Sequence, residues 1–178
     1  GVCVRLYSED DYLTREPFTS PEIQRTNLAA VILQLLVLDL GSIGEFPFLD
    51  PPRAEAVRDG FKTLYELGAI DDQRNLTPLG RQLARLPVDP RIARMILEAD
   101  REHCLADVLV IAAVLEVQDP RERPAERQQE ADLAHAQWAD PDSDFLGWLK
   151  LWDFVQQLRT RITRGQFRKA CKQNFLSE

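Results

Sequence analysis

Four times along this chain a residue suited to capping a helix stands at or just before a proline. The sites are Thr19-Ser20-Pro21, Asp50-Pro51-Pro52, Thr77-Pro78 and Asp89-Pro90. A capping side chain accepts a backbone N–H of the first helical turn. Proline in that turn gives up an N–H that would have no partner there. The chain is therefore punctuated into helices at fixed points. Asp119-Pro120 and Asp140-Pro141 add two further breaks. A mainly α fold follows.

Between these marks the apolar spacing is helical. Thr19 and Glu22 fit a capping box, and Leu28, Val31, Ile32, Leu35, Leu36 and Leu38 follow on one helix that Gly41 and Gly44 end. Ala54, Val57, Phe61, Leu64 and Leu67 share a face of a second helix, closed by Gly68. Ala69-Ile70, the polar tip Asp71 to Asn75, and Leu76 predict a short β-hairpin. From Thr77 onward the pattern is helical throughout. Cys104 to Val117 is apolar nearly all round, which predicts the central helix of a bundle. Further helices are expected from Ala125 to about Trp138, from Ser143 to about Leu158, and from near Gln166. Gly1 to Tyr7 alternates instead, which predicts a strand.

Composition narrows the class. Hydrophobic residues at 44% and charged residues at 29% suit a soluble globular chain. The three cysteines are widely spaced, with no C-x-x-C pair, which points to a reducing compartment. The runs Leu28–Leu38 and Leu105–Val117 fall short of the roughly 20 residues a bilayer span needs. Arg5, Glu9, Asp10 and Asp11 stand where a signal peptide would be apolar, so a cytoplasmic location is expected. The net charge is −7, yet Arg159, Arg161, Arg164, Arg168, Lys169 and Lys172 form a stretch free of acids. Setting those six charges aside leaves −13 on the rest. Such a stripe either tracks phosphates or is a solvated helix face.

The ordered set of motifs resembles one family. Gly1-Val2-Cys3-Val4-Arg5-Leu6-Tyr7 is followed by Pro21-Glu22-Ile23-Gln24-Arg25-Thr26-Asn27-Leu28 and Phe48-Leu49-Asp50-Pro51-Pro52. Next come Leu76-Thr77-Pro78-Leu79-Gly80-Arg81 and Pro87-Val88-Asp89-Pro90. In this order they resemble the region after the second motor domain of DEAH-box ATP-dependent RNA helicases. Pro141 to Trp148 is most similar to the bacterial HrpA-like branch.

The resemblance implies a fragment. Residues 1–13 would be the last strand of a RecA-like domain and a connector, 14–78 a winged helix, and 79–178 a ratchet-like helical bundle. It implies RNA, the protein's own RecA-like motor domains and a C-terminal oligonucleotide-binding domain as partners. ATP and Mg²⁺ would belong to the longer protein, with 3′ to 5′ movement along RNA. No cofactor is expected in this chain. No G-x-x-x-x-G-K-[ST] phosphate loop is present, because Gly60-Phe61-Lys62-Thr63 lacks the adjacent Gly-Lys. Asp100-Arg101-Glu102-His103 has the wrong order for a D-E-A-H motif.

Candidate residues follow from both lines. Ser143 and Asp144 at a helix start, and Arg168, Lys172, Gln173 and Asn174 on the last helix, are candidates for single-stranded RNA contact. Asp144, being anionic, is better suited to capping its helix than to touching phosphate. Arg25 and Asn27 are candidates for the junction with the motor domains, or Asn27 satisfies a local backbone group. Phe145, Trp148 and Trp152 lie on one helix face, with Phe154 beyond. They either stack on bases or fill a core. His103, Cys104 and His135 lack the convergent partners a metal needs, so no metal and no catalytic group is expected. Winged helices also read DNA, but Arg53, Arg58 and Lys62 are balanced by Glu55, Asp59 and Glu66 on the second helix. The rival reading is a protein-interaction module that never touches RNA.

Overall fold

The computed structural model describes residues 2, 4, 6–15, 21, 23 and 27–177. The chain divides into two compact units, Gly1–Pro90 and Arg91–Glu178. It is mainly helical, as expected.

The first unit opens on α1, Glu9–Thr14, a short acidic helix that buries nothing and is capped by Ser8. Val2 and Val4 are exposed and have no regular secondary structure, and Leu6 and Tyr7 form a bend. The expected strand is thus absent from the described residues there. A strand's N–H and C=O groups need a neighbouring strand, and none of the described residues pairs with this one. Gly1, Cys3 and Arg5 lie outside the described residues, as does the Thr19–Glu22 capping box.

α2, Ala29–Val37, packs on α3, Ala54–Glu66. The sequence pattern predicts α2 from near Thr19, but the regular helix begins at Ala29, where the Asn27 side chain accepts the Ala29 N–H at 2.8 Å. Its end also differs from expectation. Asp39, with φ 52°, takes the left-handed position, and the Leu40 N–H reaches back to the Leu35 carbonyl at 3.1 Å. The helix is closed before Gly41 is reached. α3 ends the same way through Gly68, with φ 72°, as its sequence predicts.

The close approach of α2 and α3 depends on Gly60. A Cβ there would stand 2.6 Å from Ile32 Cδ1 and 3.2 Å from the Ala29 backbone nitrogen. Leu28, Ile32, Leu33, Leu64, Ile70 and Leu83 are buried in this unit. The wing is a minimal hairpin, bridged antiparallel between Ile70 and Leu76. Asp71 shapes its tip by accepting the Gln73 and Asn75 N–H groups at 3.0 and 2.7 Å. Thr77 then caps α4, Pro78–Leu83, and its hydroxyl also donates to the Gly68 carbonyl at 2.7 Å. One side chain therefore joins helix end, wing and helix start.

In the second unit α5, Pro90–Arg101, leads to α6, Leu105–Glu116. A 3₁₀ turn at Ala125–Arg127 runs into α7, Gln128–His135, and a second such turn follows at Ala136–Trp138. α8, Asp144–Arg161, and α9, Arg164–Gln173, complete it. The core gathers Trp138, Leu151, Cys171 and Leu176, with Trp148, Phe154, Val155 and Phe167 packed against them. α9 starts on a full capping box between Thr163 and Gln166. It ends in a left-handed Phe175, φ 53°, whose carbonyl accepts the Glu122 N–H at 2.7 Å. The Ser177 N–H donates to the Pro120 carbonyl at 2.8 Å, so the loop after α6 and the segment after α9 are clasped.

One expectation fails here. α6 packs on α8, but it is not enclosed. Ala112 is its one fully buried residue, while Leu109, Leu115 and Val117 are 47%, 50% and 60% exposed. An apolar surface all round a helix states what it can bury, not whether neighbours exist to bury it.

Candidate nucleic-acid interface

The candidate residues of the second unit sit on α8 and α9. Ser143 holds the N-cap position of α8 with extended backbone, and its hydroxyl makes no capping bond. Asp144 is exposed in the first turn. The loop before them is fixed by Asp140, which accepts from Lys150 Nζ at 2.8 Å and from the Asp142 N–H at 3.0 Å. The Lys150 hydrogen bond, with the Asp142 N–H second, holds the Asp140 carboxyl below the ordinary aspartate range. Gly147 lets α8 start against the preceding turn, since a Cβ there would meet the Trp138 carbonyl oxygen at 2.9 Å.

On α9, Arg168 and Lys172 are exposed and one turn apart, so they share a face. Gln173 is exposed beside them. Asn174 is half-buried, with its amide engaged at both ends. Its Nδ2 donates to the Ala170 carbonyl at 2.9 Å, and its Oδ1 accepts from Gln137 Nε2 at 3.1 Å. The geometry thus brings Arg168, Lys172 and Gln173 together, and gives Asn174 a part in tying α9 to the turn at Trp138.

The aromatic stripe divides. Trp148 and Phe154 pack on the core, with Phe154 and Trp138 ring centres 5.0 Å apart. Phe145 and Trp152 are exposed, Trp152 by 46%. Arg121 covers Trp148, its guanidinium 4.0 Å from the ring centre, while also forking onto Asp119. Sequence reading missed this residue; no spacing rule links position 121 to position 148.

A cavity of about 670 Å³ opens between α6, α8 and α9. Val114 and Val117 lie on one wall and Trp152 and Val155 on another, and Arg159, Arg164 and Arg168 stand at its lining. Of the nucleic-acid candidates, it includes Arg168 and leaves out Ser143, Asp144, Lys172, Gln173 and Asn174. The basic stretch gave some sign of it; the apolar floor gave none, because its residues come from three helices.

In the first unit, Asn27 spends its side chain locally, on the Ala29 N–H and, at 3.4 Å, on the hydroxyl of buried Thr63. Arg25 lies outside the described residues. Gly60-Phe61-Lys62-Thr63 is wholly inside α3, with Gly60 buried against α2. That backbone cannot form the looped cradle a nucleotide's phosphates require.

The chain thus comprises a two-helix unit with a minimal wing, followed by a helical bundle with a basic last helix. Residues 61–88 match the family described as "Helicase associated domain (HA2), winged-helix", and residues 89–148 match "Helicase associated domain (HA2), ratchet-like". The chain belongs to this helicase-associated family, as a segment similar to part of a DEAH-box RNA helicase of the HrpA kind. It is 48% identical over 182 residues to the ATP-dependent RNA helicase HrpA of Escherichia coli, covering 99% of this chain and 14% of that protein. The HrpA homolog of Haemophilus influenzae is likewise 48% identical, over 184 residues, with the same coverage. The pre-mRNA-splicing factor ATP-dependent RNA helicase prp22 of Schizosaccharomyces pombe is 40% identical over 153 residues, 85% of this chain and 13% of that protein. Among the described residues no helix is long and apolar enough to cross a membrane.

Proposed function

We propose that this accessory helicase module braces the motor of an ATP-dependent 3′ to 5′ RNA helicase and lines the path of its single-stranded RNA. ATP and Mg²⁺ are held, in this reading, by RecA-like motor domains of the longer protein, and a C-terminal oligonucleotide-binding domain completes the RNA channel. The winged helix carries the bundle and meets the motor through the segment around Arg25 and Asn27. The bundle contacts RNA through α9 and the start of α8. The setting is cytoplasmic.

The observation that supports RNA contact most directly is the exposed pair Arg168 and Lys172 on one face of α9. Cations on one helix face can follow a phosphate backbone, and exposed Gln173 beside them can read polar edges. The −13 carried by the rest of the chain favours the second reading, a docking module that touches protein alone.

Anisotropy of fluorescent single-stranded RNA across a salt series separates the two. The first reading expects weak binding that favours RNA over duplex DNA and falls with salt. Arg168→Glu with Lys172→Glu should lower the affinity about tenfold or more and flatten the salt slope by roughly 0.7 per lost phosphate contact. No binding at low salt would favour the docking module.

A further inference from the structure

In the first unit an exposed face of α3 meets the wing at a cleft of about 360 Å³. That is the size of a small-ligand site. Arg58, Lys62 and Tyr65 line it from the helix, and Asp72 and Arg74 from the hairpin. The Arg74 guanidinium rests on the Phe61 ring, 4.5 Å from its centre. Arg58 and Arg74 are exposed, and neither makes an ion pair among the described residues. Lys62 reaches Glu66 at 3.7 Å, an exposed pair that water screens. Asp71, the other acid of the cleft, is spent within the wing. It accepts the Gln73 and Asn75 N–H groups and, at 3.1 Å, Asn75 Nδ2. Asp72 is then left against three cations. The even charge count of α3 hides this excess, because Glu55, Asp59 and Glu66 stand outside the cleft. Tyr65, one turn beyond Phe61, is 57% exposed.

An exposed ring and a guanidinium resting on a second ring are both surfaces on which an unpaired base stacks. Arg58 and Lys62 lie one turn apart, so both can meet the phosphate beside that base. A protein segment fits less well. An apolar one would cover Tyr65 and strand the cations without a partner. An acidic one would answer the cations and leave the ring without a flat partner. We propose that this cleft holds one nucleotide of a single-stranded RNA, with its base on Tyr65 beside the Phe61–Arg74 pair and its phosphate on Arg58 and Lys62. The strand is single because a duplex stacks its base faces inward on one another. The inference rests on the RNA-contact reading for the identity of the strand. It stands on residues of the first unit alone, so it and the α9 contact can fail separately.

The probe is a fluorescent oligouridylate of about 8 nucleotides carrying bromouridine, used for anisotropy and for ultraviolet cross-linking read by mass spectrometry. Tyr65 should carry the cross-link. Tyr65→Leu, at an exposed position, should weaken binding about fivefold and leave the salt slope unchanged, and Tyr65→Phe should keep the affinity. Arg58→Gln should weaken it about threefold and lower the salt slope by roughly 0.7. Double-stranded RNA of the same length should be indifferent to Tyr65→Leu. In the Arg168→Glu, Lys172→Glu chain the Tyr65 cross-link should persist at raised RNA concentration. Cross-links confined to α8 and α9, with Tyr65→Leu binding as the unsubstituted chain does, would overturn the wing site and leave the α9 contact standing. No binding at low salt would overturn both. Uridine monophosphate that displaces the strand at equal nucleotide concentration would make the occupant a free nucleotide. Oligoglutamate that displaces it equally well would make it an acidic protein segment.

Discussion

At the scale of single residues, this chain uses small and left-handed positions to bring elements close. Gly60 is the clearest case, because two helices touch through its missing side chain. Gly60→Ala would push on Ile32 Cδ1, which can swing away, and on the Ala29 backbone, which cannot. A loss of about 1–3 kcal/mol is expected, read as a lower urea midpoint with unchanged slope. The left-handed residues tell a related story. Asp39, His103 and Phe175 each close a helix where glycine would be unstrained, at φ 52°, 59° and 53°. In each the N–H of the next residue reaches back five positions, at 3.1 Å from Leu40, 2.9 Å from Cys104 and 2.9 Å from Leu176. His103 acts here as a helix terminator.

At the scale of elements, α8 is held in place by charge as well as by packing. Asp140 joins the loop before α8 to Lys150 two turns into it. Its carboxyl titrates below the ordinary aspartate range in the folded chain, for the Lys150 hydrogen bond above all. A depressed folded-state value means the stabilisation is complete above the unfolded aspartate range. It is then lost as pH falls through the folded value. Asp140→Asn should lower stability at neutral pH and flatten the acid limb of the urea midpoint plotted against pH. An unchanged acid limb would separate Asp140 from acid unfolding. Much at this scale was legible beforehand. Thr77-Pro78 and Asp89-Pro90 sit at helix starts, Gly68 at a helix end and Asp71 to Asn75 at the wing tip, because capping and turn chemistry act within a few residues. The start of α2 and the openness of α6 were not legible. Periodicity finds an apolar face but not the neighbour that covers it. The site was legible to the same degree: the basic run marked α9, but the groove beside it needed three helices folded together.

At the scale of the whole molecule, two units of nearly equal length carry different kinds of cohesion. The first rests on helix packing around Gly60 and on Thr77, which bonds to three neighbouring backbone groups. The second gathers four of an acidic chain's 22 cations on its last helix with no acid among them, which is why net charge alone misjudges what the molecule can attract. Its clasp has a kinetic meaning. Pro120 and Ser177 are far apart in sequence, so their pairing closes a loop that takes in α7, α8 and α9. Closing such a loop costs chain entropy that local helix contacts do not, and the pairing is lost only when the loop opens. The amide protons of Glu122 and Ser177 should therefore exchange with solvent at the slow pace of the Leu151 core. Rapid exchange at Ser177 would mean that the clasp opens independently of the bundle it encloses.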